Sequence, residues 1–388
     1  MTEYSILLSD PDISAAELAA VEAVLSSPRL SQGPRVEQFE AAFAGYLGRR
    51  HAVAVASGTL GLLLALQAQG IGTGDEVICS PFGWHQIAQA IGLAGATPVF
   101  SDIDYWSGCL NAEKLADKLT PRTRAVLAGN VAGHPAAWGP LRAFAAQHGL
   151  LLLEDSTEAL GSRYQGQLVG SFGDCAVFDF SQPSALCCGE GGMVVTDDAD
   201  VALRLRALRN RRLDERFSVS VSAHVPWQAG MSELSAALGM QQLQRLPQML
   251  TRRKRVEQYY ADHILSFEGI KPPYIAPEVD EVHWFLYLVH LGTRFSKSSR
   301  GAIVSDLHTA GVEAAAYCQP LHQQRHYLDR KHIDQGYRRG QFPVTEKIAD
   351  RALVLPFHAH LGEDQVSFIV QTAKDASINV GAGAAIYL

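Results

Sequence analysis

The chain has 388 residues, of which 47% are hydrophobic and 19% charged, so it can bury a large core and is long enough for a major domain and a smaller one. The net charge of -7 and the lack of long basic runs argue against nucleic acid or an anionic membrane as a partner. Six cysteines fit neither a disulfide framework nor a zinc site, and no targeting or membrane-spanning pattern is visible, so we expect a cytoplasmic protein.

Helix and strand patterns alternate through the first two thirds of the chain, which is typical of an α/β domain with a mostly parallel sheet. In chain order the pattern predicts helices at 15–27 and 35–47, a strand at 52–55, a helix at 60–69, a strand at 76–80, a helix at 85–94, strands at 98–100 and 125–128, a helix at 139–148, and strands at 150–153, 175–180 and 193–196. A long amphipathic helix at 231–262 follows.

Beyond that helix the character changes, with a predicted strand at 283–291, a helix at 299–310, an apolar segment at 353–356 and a last helix at 362–375. We therefore predict a large α/β domain at 1–250 and a smaller α+β domain at 251–388.

Three positions in the large domain suggest ligand binding, and each has a plainer explanation. Ser57-Gly58-Thr59 joins a strand to a helix, where free amides and the helix dipole can hold a phosphate, although the serine could simply cap the helix. Asp155 ends an apolar strand at the carboxyl edge of the sheet, where open α/β folds bind ligands, but a helix cap explains it equally well. Trp84 could stack on a flat ring or lie in the core.

A series of collinear motifs resembles one known family, the fold type I sugar aminotransferases called the DegT/DnrJ/EryC1/StrS family, which depend on pyridoxal phosphate (PLP). The resemblance spans nearly the whole chain. The matching segments are Ile6 to Ile13, Leu30 to Pro34, Ala56 to Thr59, Pro81 to Trp84, Gly95 to Phe100, Gly133 to Pro135, Glu154 to Gly161, Gly189 to Gly192, Met231 to Gly239 and Tyr317 to His322.

The resemblance implies an α/β fold of the PLP-dependent transferase type, a sugar or sugar-nucleotide substrate, and a homodimer with its active site between the subunits. It places the ring of PLP, or of pyridoxamine phosphate (PMP), under Trp84, its nitrogen near Asp155 and its phosphate at Gly58-Thr59. The cofactor-binding candidates are Gly58, Thr59, Trp84, Asp155, Glu158, Asp179, Ser181 and Gln228.

The departures from the family pattern gather around the cofactor. Ser184 stands where the family has the lysine that forms a Schiff base with PLP, and a serine hydroxyl cannot form that imine. Asp179 replaces a serine that donates to the phosphate, and a carboxylate there repels a phosphate unless it is protonated or paired. The remaining departures are Gln228 for asparagine, Gly230 for arginine or lysine, Arg211-Arg212 for His-Gly, and Phe285 for a frequent histidine.

Two interpretations remain open at the level of sequence. In the favoured one, an enzyme of nucleotide-sugar metabolism binds PLP or PMP non-covalently, and His85 or His134 supplies the missing base, with Ser184 in the lysine's place. In the alternative, the chain keeps the fold without the cofactor, as a PLP-independent enzyme or a non-catalytic partner subunit. Each histidine could instead be structural. A third possibility, a serine engineered to trap an adduct, explains Ser184 alone.

Overall fold

The computed structural model describes residues 4–210, 225–264, 269–328 and 336–385. The helices in these residues are α1 (Ala15–Leu25), α2 (Pro34–Leu47), α3 (Gly58–Ala68), α4 (Gln86–Leu93), α5 (Trp138–His148), α6 (Ala199–Arg209), α7 (Glu233–Ile264), α8 (Lys297–Thr309), α9 (Arg325–Leu328), α10 (Pro343–Ala349) and α11 (Glu363–Ala385).

The strands in the same residues are β1 (His51–Val55), β2 (Glu76–Cys79), β3 (Thr97–Phe100), β4 (Thr123–Gly129), β5 (Leu151–Asp155), β6 (Arg163–Tyr164), β7 (Gln167–Leu168), β8 (Cys175–Asp179), β9 (Gly192–Thr196), β10 (Ile270–Lys271), β11 (Val279–Glu281), β12 (Tyr287–Leu291), β13 (Ala315–Ala316) and β14 (Ala352–Leu355).

Local signals in the sequence explain where several helices begin and end. α1 begins with a capping box, in which Ser14 and Glu17 satisfy each other's backbone amides. α2 and α5 end at Gly48 and Gly149, whose φ angles of 70° and 62° lie in the left-handed region that glycine adopts without a steric penalty.

The central sheet of the described residues has seven strands in the order β1-β9-β8-β5-β4-β2-β3. β9 alone runs antiparallel to its neighbours β1 and β8, and the other pairings in the sheet are parallel. β1, β2, β4, β5 and β8 therefore end at the same edge, and β9 begins there. The predicted α/β class with a mostly parallel sheet is confirmed.

A second sheet, in the order β10-β12-β14-β13, forms later in the chain and is antiparallel. α7 connects the two sheets as one continuous helix of 32 residues, so residue 250 lies inside a helix and not in a linker. The first described residues also reach this second unit, because Ile6 pairs with Val312 and Leu8 accepts a hydrogen bond from the Phe357 amide. Among the described residues, no helix combines the length and apolar character of a membrane span.

Candidate functional site

The carboxyl edge of the central sheet brings together three of the segments that the sequence singles out. β1 leads into Ser57 and α3, β5 ends at Asp155, and β8 ends at Asp179. Asp179 also pairs with Gly192 of β9, so the loop that carries Ser184 starts and ends at this edge. The order of the strands, and not their proximity in sequence, therefore builds the candidate pocket.

The amino terminus of α3 is largely satisfied by the protein itself. The Ser57 hydroxyl accepts from the Leu60 amide at 3.3 Å, so the helix-cap explanation of this residue is confirmed. The Gly61 amide donates to the Ser57 carbonyl, and the Gly58 amide donates to Asp179 Oδ2 at 2.6 Å. At most the Thr59 amide is left in this turn to bind a ligand.

Asp179 is a buried carboxylate held by three donors. Besides Gly58, it accepts at Oδ1 from the Ser181 amide at 2.8 Å and from the Ser181 hydroxyl at 2.5 Å. Its side chain also packs directly on the helix start, because a Cβ added to Gly58 would lie 2.7 Å from the Asp179 Cβ and 2.8 Å from Oδ2. Ser181 thus binds Asp179 rather than presenting its amide and hydroxyl to a ligand.

Asp155 lies beside Asp179 and has two protein partners of its own. Its Oδ2 accepts from Gln86 Nε2 at 2.8 Å, and its Oδ1 accepts from the Thr157 amide at 3.1 Å. Burial raises the pKa of Asp155, and the negative charge of Asp179 raises it further. The Thr157 hydroxyl links Gln86 to the backbone of Asp179, since it accepts from Gln86 Nε2 at 3.3 Å and from the Asp179 amide at 3.1 Å. Gln86 carried no signal in the sequence that marked it as part of this network.

An aromatic group covers one side of this edge. Trp84 is 40% exposed, and its indole meets the ring of Phe285 edge-on with centroids 6.1 Å apart. This exposure leaves the indole accessible to a ligand, and its predicted stacking role stays a prediction. Its neighbour Phe285 offers no polar group. His85 is exposed beside it at the start of α4 and makes no capping bond there, so its predicted catalytic role stays a prediction.

Glu158 is the third carboxyl group in this region. Its Oε2 accepts from the Ala132 amide and, at 2.6 Å, from the Tyr317 hydroxyl. Burial, with the nearby charge of Asp155, raises the pKa of Glu158 to about 8. At neutral pH Glu158 is therefore mostly a neutral acid, with a proton that Oε1 can donate.

Ser184 is buried at the start of the loop between β8 and β9, where its amide donates to the Ser181 carbonyl at 3.1 Å. None of the lysines with a described partner takes the place of the missing amine, because each contacts another part of the molecule. Those lysines are Lys114, Lys118, Lys254, Lys347 and Lys374. Lys271 and Lys297 are exposed on β10 and at the start of α8.

The structure argues against His134 as a base. Its Nδ1 lies 2.7 Å from the Pro135 carbonyl, and its Nε2 accepts from the Ala276 amide at 3.1 Å. A carbonyl only accepts, so Nδ1 carries the hydrogen and both nitrogens are occupied in the neutral ring. Burial also lowers the pKa of His134. These contacts favour the structural alternative for His134, and its catalytic role stays a prediction; the sequence could not show them, because the partner lies 142 residues away.

The remaining departures from the family pattern lie around the same edge or outside the described residues. Gln228 is exposed with a φ of 51°, in a segment whose neighbour Ala229 accepts a hydrogen bond from the Ala56 amide. A Cβ at Gly230 would lie 2.0 Å from Asn210 Nδ2, so the Asn210 side chain would have to move for a larger residue to fit here. Arg211 and Arg212 lie outside the described residues.

The described residues contain no cluster of His, Cys, Asp or Glu that could hold a metal ion. Cys187 and Cys188 are buried free thiols, and burial raises the pKa of both. They are small buried residues beside the glycine turn that follows them.

A model of the DegT/DnrJ/EryC1/StrS aminotransferase family matches residues 11–374. The chain belongs to this family. It is 34% identical to the GDP-perosamine synthase of Caulobacter vibrioides over 343 residues, which covers 88% of this chain and 89% of that protein.

Solved structures of the same family superpose closely on the chain. Spr1654 of Streptococcus pneumoniae in its PMP form has a TM-score of 0.90 at 26% identity and covers 98% of this chain and 100% of its own. DesI, solved in the presence of its TDP-sugar product, has a TM-score of 0.86 at 30% identity and covers 100% of this chain and 96% of its own. The fold is thus that of the PLP-dependent aminotransferases.

The residues of this chain do not fit the family's cofactor. The residues that the resemblance assigns to the cofactor ring are present, because Trp84 is exposed and Asp155 ends β5. However, the resemblance places Ser184 where the family has the anchoring lysine, and the start of α3, where it places the phosphate, is in contact with the Asp179 carboxylate.

Proposed function

We propose that this chain binds a sugar nucleotide in the family's pocket and does not transaminate it through a lysine-bound cofactor. The first half of the proposal is supported by the relatives, since one makes GDP-perosamine and another was solved with a TDP-sugar product. The second half depends on Ser184, which stands at the position of the lysine.

The substitution at Ser184 removes two functions at once. A lysine amine anchors PLP covalently and then moves protons on the substrate, whereas a serine hydroxyl forms no imine and is too weakly basic to take over the second task. We do not assign the base to His134, because backbone groups occupy both of its nitrogens. Among the candidates, His85 is exposed and Glu158 holds a proton at neutral pH, so the groups present suit proton donation and binding better than transamination.

The contact between Asp179 and Gly58 favours the second of the two interpretations of the sequence. The non-covalent PLP or PMP enzyme needs an open place for the phosphate, and Asp179 occupies that place. The alternative, a cofactor-independent enzyme or a partner subunit on the same fold, needs only a pocket for the sugar nucleotide. We adopt the alternative for this reason.

Calorimetric titration with GDP-mannose, TDP-glucose and UDP-N-acetylglucosamine tests the first half of the proposal, and we expect saturable binding of at least one of the three. An amino-transfer assay with PLP, glutamate and the matching 4-keto sugar nucleotide tests the second half. Ser184→Ala is the matched control, and we expect it to equal the wild type, with no amino sugar formed by either. Amino transfer by the wild type, or no binding of any of the three probes, contradicts the proposal.

A further inference from the structure

The contact between Asp179 and α3 defines what this end of the pocket can hold. The Gly58 amide is the first of the helix, where the positive end of the helix dipole favours an anion. In this chain the anion is already present, because Asp179 Oδ2 lies 2.6 Å from that amide. A carboxylate supplied by the protein thus makes the interaction that a ligand's phosphate would make.

The packing leaves no space for a second anion between the two groups. A single added carbon on Gly58 would come within 2.8 Å of the Asp179 carboxylate, and a phosphate group is several times larger than that carbon. The contact is also rigid on both sides. Gly58 begins a helix in which eight of the eleven residues are buried, and Asp179 pairs with Gly192 in the sheet.

The side chain of Asp179 is held in place and cannot swing away without loss. Ser181 donates to its other oxygen through both the amide and the hydroxyl. These bonds are charge-assisted and partly buried, so breaking them without replacement is unfavourable. A phosphate entering this place would have to displace Asp179 and would then face its negative charge at close range.

We infer that Asp179 is a built-in substitute for a cofactor phosphate, so that this pocket admits neither PLP nor PMP in the family's orientation and accepts a ligand without an anionic group at the start of α3. The inference rests on the proposed function, because it concerns the same pocket. Asp155 and Asp179 end neighbouring strands at this edge of the sheet, and carboxylate oxygens accept hydrogen bonds from hydroxyl or amine donors. The ligand class at this end is therefore neutral or cationic, such as the hydroxyl groups of a sugar ring.

Titration of PMP, and separately of inorganic phosphate, into the wild type and Asp179→Ser tests this inference. The serine removes the carboxylate, frees the Gly58 amide and adds a hydroxyl donor. We expect PMP to bind Asp179→Ser at least tenfold more tightly than it binds the wild type. The amide resonance of Gly58 should shift with phosphate in the variant only. Equal PMP affinity for the two proteins, or weaker binding by the variant, overturns the inference.

Asp174→Asn is the matched control, because Asp174 precedes the opposite end of the same strand and binds the Leu152 amide away from the pocket. We expect its PMP affinity to equal that of the wild type. If Asp179→Ser does not fold, Asp179→Ala serves in its place, since it also frees the Gly58 amide.

The same titrations separate this inference from the proposed function. If the wild type binds a sugar nucleotide and also binds PMP as tightly as Asp179→Ser does, the role of Asp179 is overturned and the proposed function stands. If Asp179→Ser gains tenfold in PMP affinity but the wild type binds none of the sugar-nucleotide probes, the role of Asp179 stands and the proposed function is overturned.

Discussion

Asp155 and Asp179 end neighbouring strands of one sheet, and each carboxylate has found its partners within the protein. Asp155 accepts from Gln86 and Thr157, and Asp179 accepts from Gly58 and Ser181. An unpaired buried charge is costly, and these bonds stabilise both carboxylates without a ligand.

A double substitution tests whether Ser184 and Asp179 act together in excluding PLP. Ser184→Lys alone restores the amine but leaves Asp179 in the place of the phosphate, so we expect no reducible adduct with PLP. Ser184→Lys combined with Asp179→Ser restores both contacts, and we expect a covalent PLP adduct after borohydride reduction, measured by intact-protein mass spectrometry. An adduct in the single variant equal to that in the double variant would mean that Asp179 is no obstacle.

Glu158 gives a prediction on pH and stability. Its pKa in the folded protein is about 8, above the ordinary value of 4.5, so between these values the folded state holds a proton that the unfolded state releases. This group therefore makes the protein less stable as the pH rises from 4.5 to 8. Glu158→Gln keeps an acceptor for Tyr317 without this titration, so from pH 6 to pH 8 the wild type should lose about 2 kcal/mol relative to the variant. Urea unfolding at both pH values measures this, and parallel curves would show that Glu158 is already ionised.

At the scale of secondary structure, a carboxylate from one helix caps another. α2 begins after Gly33, which has no side chain to cap it, and Glu233 at the start of α7 takes over this role. Glu233 accepts from the Gly33 and Val36 amides at 2.9 Å each and from the Arg35 amide at 3.0 Å. One buried side chain thus satisfies the first turn of α2 and fixes it against the helix that connects the two sheets.

Removing this cap should destabilise the fold without touching the pocket. Glu233→Ala leaves three amides without a partner, and we expect a loss of about 2–3 kcal/mol in the free energy of unfolding. Glu22→Ala is the control, because Glu22 is an exposed glutamate of α1, and its loss should change stability by less than about 0.5 kcal/mol. Denaturant unfolding of the two variants measures both values. Similar midpoints would show that the α2 cap contributes little.

The sequence predicts most helices and strands of the large unit well, because their periodicity and caps are local. The predicted strand at 283–291 is a strand only over Tyr287–Leu291, since Trp284 and Phe285 instead give their carbonyls to the buried Arg253. The sequence could not predict the contacts that decide the site, because they join residues that are distant in the chain and meet only in the fold. Gly58 and Asp179 are 121 residues apart, and Gly33 and Glu233 are 200 apart.

At the scale of the whole molecule, the family resemblance predicts a homodimer. The exposed segment that contains Gln228 contacts the end of β1, because the Ala229 carbonyl accepts from the Ala56 amide, and Trp227 in this segment is 48% exposed. We expect light scattering after size exclusion to give twice the chain mass of 42.0 kDa. A mass of one chain at micromolar concentration would contradict the prediction and would leave the pocket without a second subunit.

The central claim is that this chain keeps the aminotransferase fold while its pocket excludes the cofactor. The most direct measurement is the absorbance spectrum and intact mass of the wild-type protein after incubation with PLP, and separately with PMP, followed by desalting. The account predicts that neither cofactor is retained. A cofactor retained at one equivalent per chain would contradict the account and would show that the phosphate displaces the Asp179 side chain.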